Sequence, residues 1–207
     1  MCTDTIIRQV GDIGRMVDEF SSFARMPRPT VKEEDAKELC QQALFLQRNG
    51  NPGIRYTVNL PGHPVPLNCD RRQVSQVLTN ILKNSAEAIE GRDENMDTPL
   101  PQGEISLSLI EDETGLRIVV EDNGRGLPKE GRERLTEPYM TTRGGAQQGG
   151  QSGGGLGLGF FIAKTLLERS GAAVNFRNAA EQGKGALAEI VWPREAFVRA
   201  ASEEAGL

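Results

Sequence analysis

Four clusters of polar and glycine residues, in a fixed order along 207 residues, carry the chemistry open to this sequence. The first is Asn80-Ile-Leu-Lys-Asn84-Ser-Ala-Glu87-Ala88, whose spacing puts Asn80 and Asn84 one helical turn apart on one face. Asparagine is a mediocre helix former. Its amide oxygen, however, is a hard ligand suited to Mg²⁺ and adds no charge beside phosphates. The second cluster, Val120 to Pro128, places Asp122 at a strand end ahead of Gly124 and Gly126, where a ligand can approach the backbone closely. The Asp122 carboxylate could accept a hydrogen bond from an exocyclic amine such as that of adenine. The third, Glu137-Pro138-Tyr139-Met140-Thr141-Thr142-Arg143, ends in hydroxyls and a guanidinium, groups that anchor phosphate.

Each of these also reads as ordinary structure: a hydrogen-bonded helix edge, an Asx-capped turn, the start of a loop. The fourth cluster resists that reading. Nine of the sixteen residues from 144 to 159 are glycine, and the run ends in Gly155-Leu156-Gly157-Leu158-Gly159 before Phe160-Phe161-Ile162-Ala163-Lys164. A glycine-rich turn feeding a helix start offers free backbone N–H groups to an anion, aided by the helix dipole. The pattern is neither a dinucleotide fingerprint nor a Walker loop. Flexible linkers rarely carry regularly spaced leucines and a following amphipathic helix.

The elements that must position these clusters follow from periodicity. Ile6, Val10, Ile13, Val17, Phe20 and Ala24 recur at the 3.5-residue spacing of a helical-bundle seam, which needs a partner to bury it. Folding back onto its own domain is the alternative. Pro27 and Pro29 end this helix. Residues Glu33 to Arg48 predict a helix with apolar contacts Leu39, Ala43, Leu44 and Leu46, and Ile54 to Leu60 alternates as a half-buried strand. Asp70 can cap a long helix to about Glu90, with Val74, Val77, Leu78, Ile81, Leu82 and Ala88 as its inner stripe. Strands follow at Glu104 to Ile110 and Leu116 to Glu121, then a short charged helix near Glu130 to Leu135 and a helix from about Leu158 to Ser170. Strands near Ala173 to Arg177 and Ala186 to Trp192 close the chain. This order predicts an α+β, two-layer α/β sandwich with one mixed sheet and helices on one face.

Composition narrows the function. With 26% charged and 37% hydrophobic residues, a net charge of −5 and no basic run, the chain suits a soluble globular protein and argues against nucleic acid as a partner. No stretch reaches the ~20 apolar residues of a membrane span, and no signal peptide opens the chain. Cys2, Cys40 and Cys69 are odd in number, far apart, and joined by a single histidine, so free thiols are expected rather than zinc or disulfides. His63, in Pro61-Gly62-His63-Pro64, reads as a solvated loop residue.

N-x-x-x-N, D-x-G-x-G, E-P-Y-x-T-T and G-L-G-L-G, in this order, resemble the nucleotide-binding boxes of the histidine-kinase ATPase domain, over about Thr30 to Pro193. That family shares its Bergerat fold with gyrase-type topoisomerases, the ninety-kilodalton heat-shock chaperone and mismatch-repair ATPases; the Glu137-Pro138-Tyr139 box favours the kinase branch. The resemblance implies ATP and Mg²⁺ as cofactors and transfer of the γ-phosphoryl group to a histidine for signalling to a response regulator. Asn84 would coordinate Mg²⁺, and Asn80 would support the triphosphate site. Asp122 would read the adenine amino group, with Gly124, Gly126 and Leu127 lining the base. Gly155, Gly157 and Gly159, with Leu156 and Leu158 between them, would hold the phosphates. Tyr139, Thr141, Thr142 and Arg143 would join the nucleotide contacts, a mobile lid running from about Thr141 to Gly154.

The segment from Arg8 to Pro27 resembles the second helix of the dimerisation hairpin in nitrogen-responsive sensor kinases of the NtrY type, and the residues through Ile89 resemble that group as well. The implied division is residues 1–27 for part of that hairpin, 28–32 for a linker, 33–194 for the ATP-binding catalytic domain and 195–207 for a tail. A homodimer through residues 6–24 and a cytoplasmic position below a membrane-anchored parent are implied too. No histidine precedes His63, so autophosphorylation at the usual site is not expected of this chain. Gly155 to Ser170 and Ile190 to Phe197 are closer to redox-responsive kinases of the RegB type, which leaves a natural intermediate branch and an engineered hybrid both open. Two other activities stay in view: a nucleotide-binding regulatory module without transfer, and a gyrase- or chaperone-type ATPase, for which no convincing water-activating glutamate is present.

Overall fold

The computed structural model describes residues 10, 11, 14, 29–92, 100–127, 159–169, 171–179 and 185–194. The chain divides into two compact units, one of Pro29–Leu127 with Ala163–Leu207 and one of Met1–Arg28 with Pro128–Ile162. In the second unit Val10, Gly11 and Gly14 are helical, in keeping with the heptad-like spacing. The rest of that seam, and the charged helix expected near Glu130, lie outside the described residues.

The first unit is built on a five-stranded mixed sheet of spatial order β2-β4-β5-β7-β6, with β2 Arg55–Asn59, β4 Glu104–Asp112, β5 Gly115–Asp122, β6 Ala173–Asn178 and β7 Ala186–Pro193. Only β2 and β4 run parallel; the other pairs are antiparallel. Alternation decides the buried face. Ile105, Leu107 and Leu109 of β4 stand beside Leu116, Ile118 and Val120 of β5 and Ile190 and Trp192 of β7, all buried. Helices α1 Ala36–Gly50 and α2 Arg71–Glu90 pack on each other; α1 also meets β4, and α2 meets both β4 and β5. Each fully buried Leu or Ile in this layer contributes roughly 1.5–3 kcal/mol of transfer free energy. In α3, Gly159–Arg169, the residues Ala163, Leu166 and Leu167 are buried. Among the described residues no helix is long and apolar enough to cross a membrane.

Two side-chain expectations fail. Leu46 of α1 is 62% exposed, and Ala36 and Cys40 take the buried positions instead. Ala88 of α2 is half-buried rather than part of the inner stripe, which Ser85, Ala86 and Ile89 complete. His63 is exposed as expected and lies 3.3 Å from Glu111. Cys40 and Cys69 are free and buried; burial, then nearby Asp35 for Cys40 and Glu34 for Cys69, pushes both thiols up to about 12.

A feature absent from the pattern analysis is a second, two-stranded sheet, in which β1 Lys32–Asp35 pairs antiparallel with β3 Pro66–Cys69. The expected start of α1 at Glu33 is therefore three residues early. Asp35 caps the helix by accepting from Lys37 N–H at 2.9 Å, and it also accepts from Val65 N–H at 2.9 Å. Asp70 caps α2 in the same way, accepting from the N–H groups of Arg72 at 3.0 Å and Gln73 at 3.4 Å. It further accepts from Thr30 N–H at 2.8 Å, so one buried carboxylate ties the incoming chain to the start of α2. Burial opposes its charge, but the Arg72 guanidinium and the three N–H groups outweigh that and hold the carboxyl below the usual aspartate range.

Replacement of this cap should be measurable. Asp70→Ala is expected to lower stability by about 1–2 kcal/mol, read as a lower urea midpoint at unchanged slope. Because the folded-state value is depressed, Asp70 stabilises above its unfolded pKa and loses that effect as pH falls through the folded one. The gap between parent and variant should therefore close on acidification.

Candidate functional site

Strand β5 places Leu116, Ile118, Val120 and Asp122 in one core-facing row, because side chains two apart share a face. A carboxylate thus occupies the fourth position of an apolar row, 6% exposed. Its Oδ1 accepts from Gly124 N–H at 2.9 Å and from Ala186 N–H at 3.2 Å. Burial pushes the Asp122 carboxyl up; the Gly124 N–H, the Ser85 hydroxyl and the Ala186 N–H pull it down, and Glu121 adds to the rise, which prevails. With both N–H groups on Oδ1 the carboxylate plane is fixed, and a carboxylate's roughly four acceptor sites exceed these two N–H groups and the Ser85 hydroxyl, which leaves capacity for a donor on a ligand.

Close backbone approach explains the glycines around it. A Cβ on Gly124 would lie 2.7 Å from the Ala88 carbonyl carbon, so the loop after β5 rests directly on α2. Gly185 has φ +95, and a Cβ there would come within 2.0 Å of the Asp122 carbonyl oxygen. Further bonds hold the loop in place. Arg125 N–H donates to Ala88 O at 3.1 Å, and Leu127 N–H donates to the Asn178 side chain at 2.8 Å. Asn123 donates to Gln102 O and accepts from Glu104 N–H, both at 2.8 Å, which closes the loop onto the start of β4. Gly126 takes φ +78 between these anchors.

Helix α2 presents the other half. Asn80 and Asn84 are partly exposed on one edge, away from the buried stripe. The Asn80 amide oxygen accepts from Gln76 Nε2 at a long 3.4 Å, and among the described residues no hydrogen bond holds the Asn84 amide. Both oxygens are therefore available to a ligand. An amide oxygen pair on the helix whose Ser85 reaches the buried carboxylate suits a ligand with an amine donor at one end and a cation-neutralised anion at the other.

The structure thus brings together α2, with Asn80 and Asn84, and the loop of Asp122, Gly124, Gly126 and Leu127. Gly159 opens α3. Tyr139, Thr141, Thr142, Arg143, Gly155, Leu156, Gly157 and Leu158 lie outside the described residues. Sequence reasoning gave no part to Ser85, Asn178, Gly185 or Ala186. Ser85 adjoins Asn84 and was open to inspection, whereas the other three reach the site only through the pairing of β7 with β5 and β6.

Residues 69–196 match the family described as histidine kinase-, DNA gyrase B-, and HSP90-like ATPase. The nitrogen regulation protein NtrY of Azorhizobium caulinodans is 49% identical over 185 residues, which is 89% of this chain and 22% of that protein. An NtrY-like sensor histidine kinase of Rickettsia typhi is 31% identical over 89% of this chain and 28% of its own length. The chain spans less than a third of these curated relatives. Among solved structures, full-length ShkA in complex with AMPPNP superposes with TM-score 0.67 at 24% identity, over 91% of this chain and 37% of that one. The mycobacterial sensor histidine kinase MprB gives 0.63 at 22%, covering 79% and 97%. At those identities the likeness is one of fold.

The strain at Asp122 has a measurable sign. Its folded-state pKa is raised, so the folded protein binds the extra proton and the ionised carboxylate weakens folding above that value. Asp122→Asn is expected to melt no lower than the parent at neutral pH in calorimetric scans. Its advantage should shrink as acid protonates the parent's carboxyl.

Proposed function

Because the chain belongs to the histidine kinase-, DNA gyrase B-, and HSP90-like ATPase family, we propose that it is the ATP-binding catalytic domain of a nitrogen-responsive sensor histidine kinase. In this reading it moves the γ-phosphoryl group of ATP to a histidine on a dimerisation helix, from which a response regulator is served. The observation that carries it is Asp122, a buried carboxylate with Oδ1 committed to two backbone N–H groups and acceptor capacity left for the adenine amino group. Gly124 and Gly126 are assigned to line the base through their backbone, the missing side chain of Gly124 letting the loop close on Ala88. Likeness to NtrY over most of the chain supports the nitrogen-responsive branch. A structure of the kinase ThkA with the response regulator TrrA, TM-score 0.67 at 21% identity, supports the choice of partner class.

Mg²⁺ fits the donor set, since the neutral amide oxygens of Asn80 and Asn84 suit a hard cation without adding negative charge to a triphosphate. Asn80 and Asn84 would hold the ion, and the chemistry it would supply is neutralisation of the charge that develops on transfer. The chain's own groups position rather than attack: Asp122 orients the base, and α2 holds the phosphate end beside Asn84. Asn80 stands one turn before Asn84, and since an amide cannot take a proton from water it is assigned to support the triphosphate site rather than to activate water. Residues 139–143 and 155–159 are assigned to the lid and the phosphate turn. A membrane-anchored parent and a dimer through residues 6–24 complete the reading.

Mixing the chain with a histidine-bearing dimerisation helix and γ-labelled ATP should label the helix, and Asn84→Ala should abolish the label. Tight nucleotide binding without any transfer would instead mark a regulatory module. In Asp122→Asn the two N–H groups hold the amide oxygen in place of Oδ1 and turn its NH₂ toward the adenine amine. Affinity for a non-hydrolysable ATP analogue should fall about ten- to a hundredfold. Affinity for the inosine counterpart, which offers an acceptor there, should not fall. Equal losses for both would sink the role of Asp122.

A further inference from the structure

The loop after β5 is fastened at both ends, and its far end is held by a side chain from β6. Near its start, Gly124 N–H bonds Asp122, Asn123 bonds the start of β4, and Arg125 N–H bonds Ala88 O on α2. Leu127 N–H instead donates to Asn178 Oδ1 at 2.8 Å, across 51 residues of sequence. Asn178 ends β6 on the half-buried side of the strand, in line with Val174 and Phe176. Its register partner on β7 is Ala186, whose own N–H bonds Asp122 Oδ1. One cross-strand pair therefore gives a backbone donor to the carboxylate and a side-chain acceptor to the loop. The next turn of chain tightens the same place. Ala179 N–H donates to Gly185 O at 3.1 Å, and that carbonyl would lie 3.1 Å from a Cβ on Gly126. Gly126 itself has φ +78, one of many conformations open to glycine. Bonds on either side, from Arg125 N–H and Leu127 N–H, select it.

We propose that Asn178 is a positioning residue for the adenine end of the nucleotide, acting through Leu127 N–H to hold Gly126 and Leu127 in the conformation the base lies against. The inference deepens the ATP reading above and rests on it. A loop already ordered gives up no conformational freedom when ligand arrives. Without the Asn178 acceptor, Gly126 regains its range and Leu127 N–H turns to water, so each binding event must order both again. The cost falls on the base, because the phosphates are assigned to α2 and the turn before α3. An asparagine that served only to end β6 would alter stability and leave nucleotide binding as it was.

The test is calorimetric titration of the full chain with ADP and with a non-hydrolysable ATP analogue, beside Asn178→Leu and Asn178→Asp. Leucine keeps the size of the side chain and removes the acceptor, whereas aspartate keeps an acceptor in its place. Circular dichroism checks folding, and Asn178→Ala carries the same expectation should the leucine variant fail to fold. Asn178→Leu should bind both nucleotides about tenfold more weakly, by the same factor for each. Asn178→Asp should keep most of the affinity. Amide hydrogen exchange gives a second readout: Leu127 should lose protection in Asn178→Leu while the amides of β5 keep theirs. Unchanged affinity in a folded Asn178→Leu, a loss confined to the ATP analogue, or an equal loss in Asn178→Asp overturns the proposal while the ATP reading survives. Absence of binding of either nucleotide by the parent overturns the ATP reading itself, and this inference with it.

Discussion

Burial of one carboxylate organises this domain. Asp122 continues the apolar row of β5, where an ionised group is disfavoured unless hydrogen bonds replace its water. The replacement comes from three directions: the N–H of Gly124 two residues on, the hydroxyl of Ser85 on α2, and the N–H of Ala186 at the start of β7. Each donor reaches Asp122 only if its element sits in one position. Gly124 must lie on Ala88, which excludes a Cβ, and Gly185 must cross the Asp122 carbonyl, which excludes another. Sheet register, helix placement and glycine choice are thus jointly constrained by the need to keep one buried acceptor bonded and oriented.

Helix α2 meets that constraint with two faces. Its inner stripe, from Val74 to Ile89, is fastened to α1 and the sheet by apolar burial, the large term in the domain's stability. Its outer edge carries amides that contribute nothing to that core. Because the stripe fixes the helix's rotation, it also fixes where Asn80 and Asn84 stand. At the start of the helix Asp70 adds a polar tie, gathering the N–H groups of Arg72, Gln73 and Thr30 on one buried side chain. The segment entering the domain and the helix bearing the proposed cation site are thereby joined through a single residue.

The two described thiols are chemically quiet. The Cys40 and Cys69 thiols, raised to about 12 chiefly by burial, hold no appreciable thiolate at neutral pH and behave as small apolar side chains.

The sequence by itself determined whatever depends on neighbours a few residues away. The Asp70 cap and a 3.6-residue apolar period placed α2 from its first turn to Glu90, and strict alternation placed the β4–β5 hairpin within a residue or two. Four ordered boxes identified the family because each packs its chemistry into a short stretch of chain. The small sheet of β1 and β3 escaped notice, since Lys32-Glu-Glu-Asp35 is polar throughout and becomes a strand only by pairing with Pro66–Cys69. Leu46 looked like a core residue and is exposed, because one apolar side chain too many for the α1 stripe points to solvent. Only the tertiary structure decided that Ala186, 64 residues away, would hold Asp122, and that Asn178, 51 residues from Leu127, would anchor the loop. Those partners are backbone groups and a common amide with no local signature. What selects them is the register of β7 between β5 and β6, a property of the assembled sheet rather than of any segment within it.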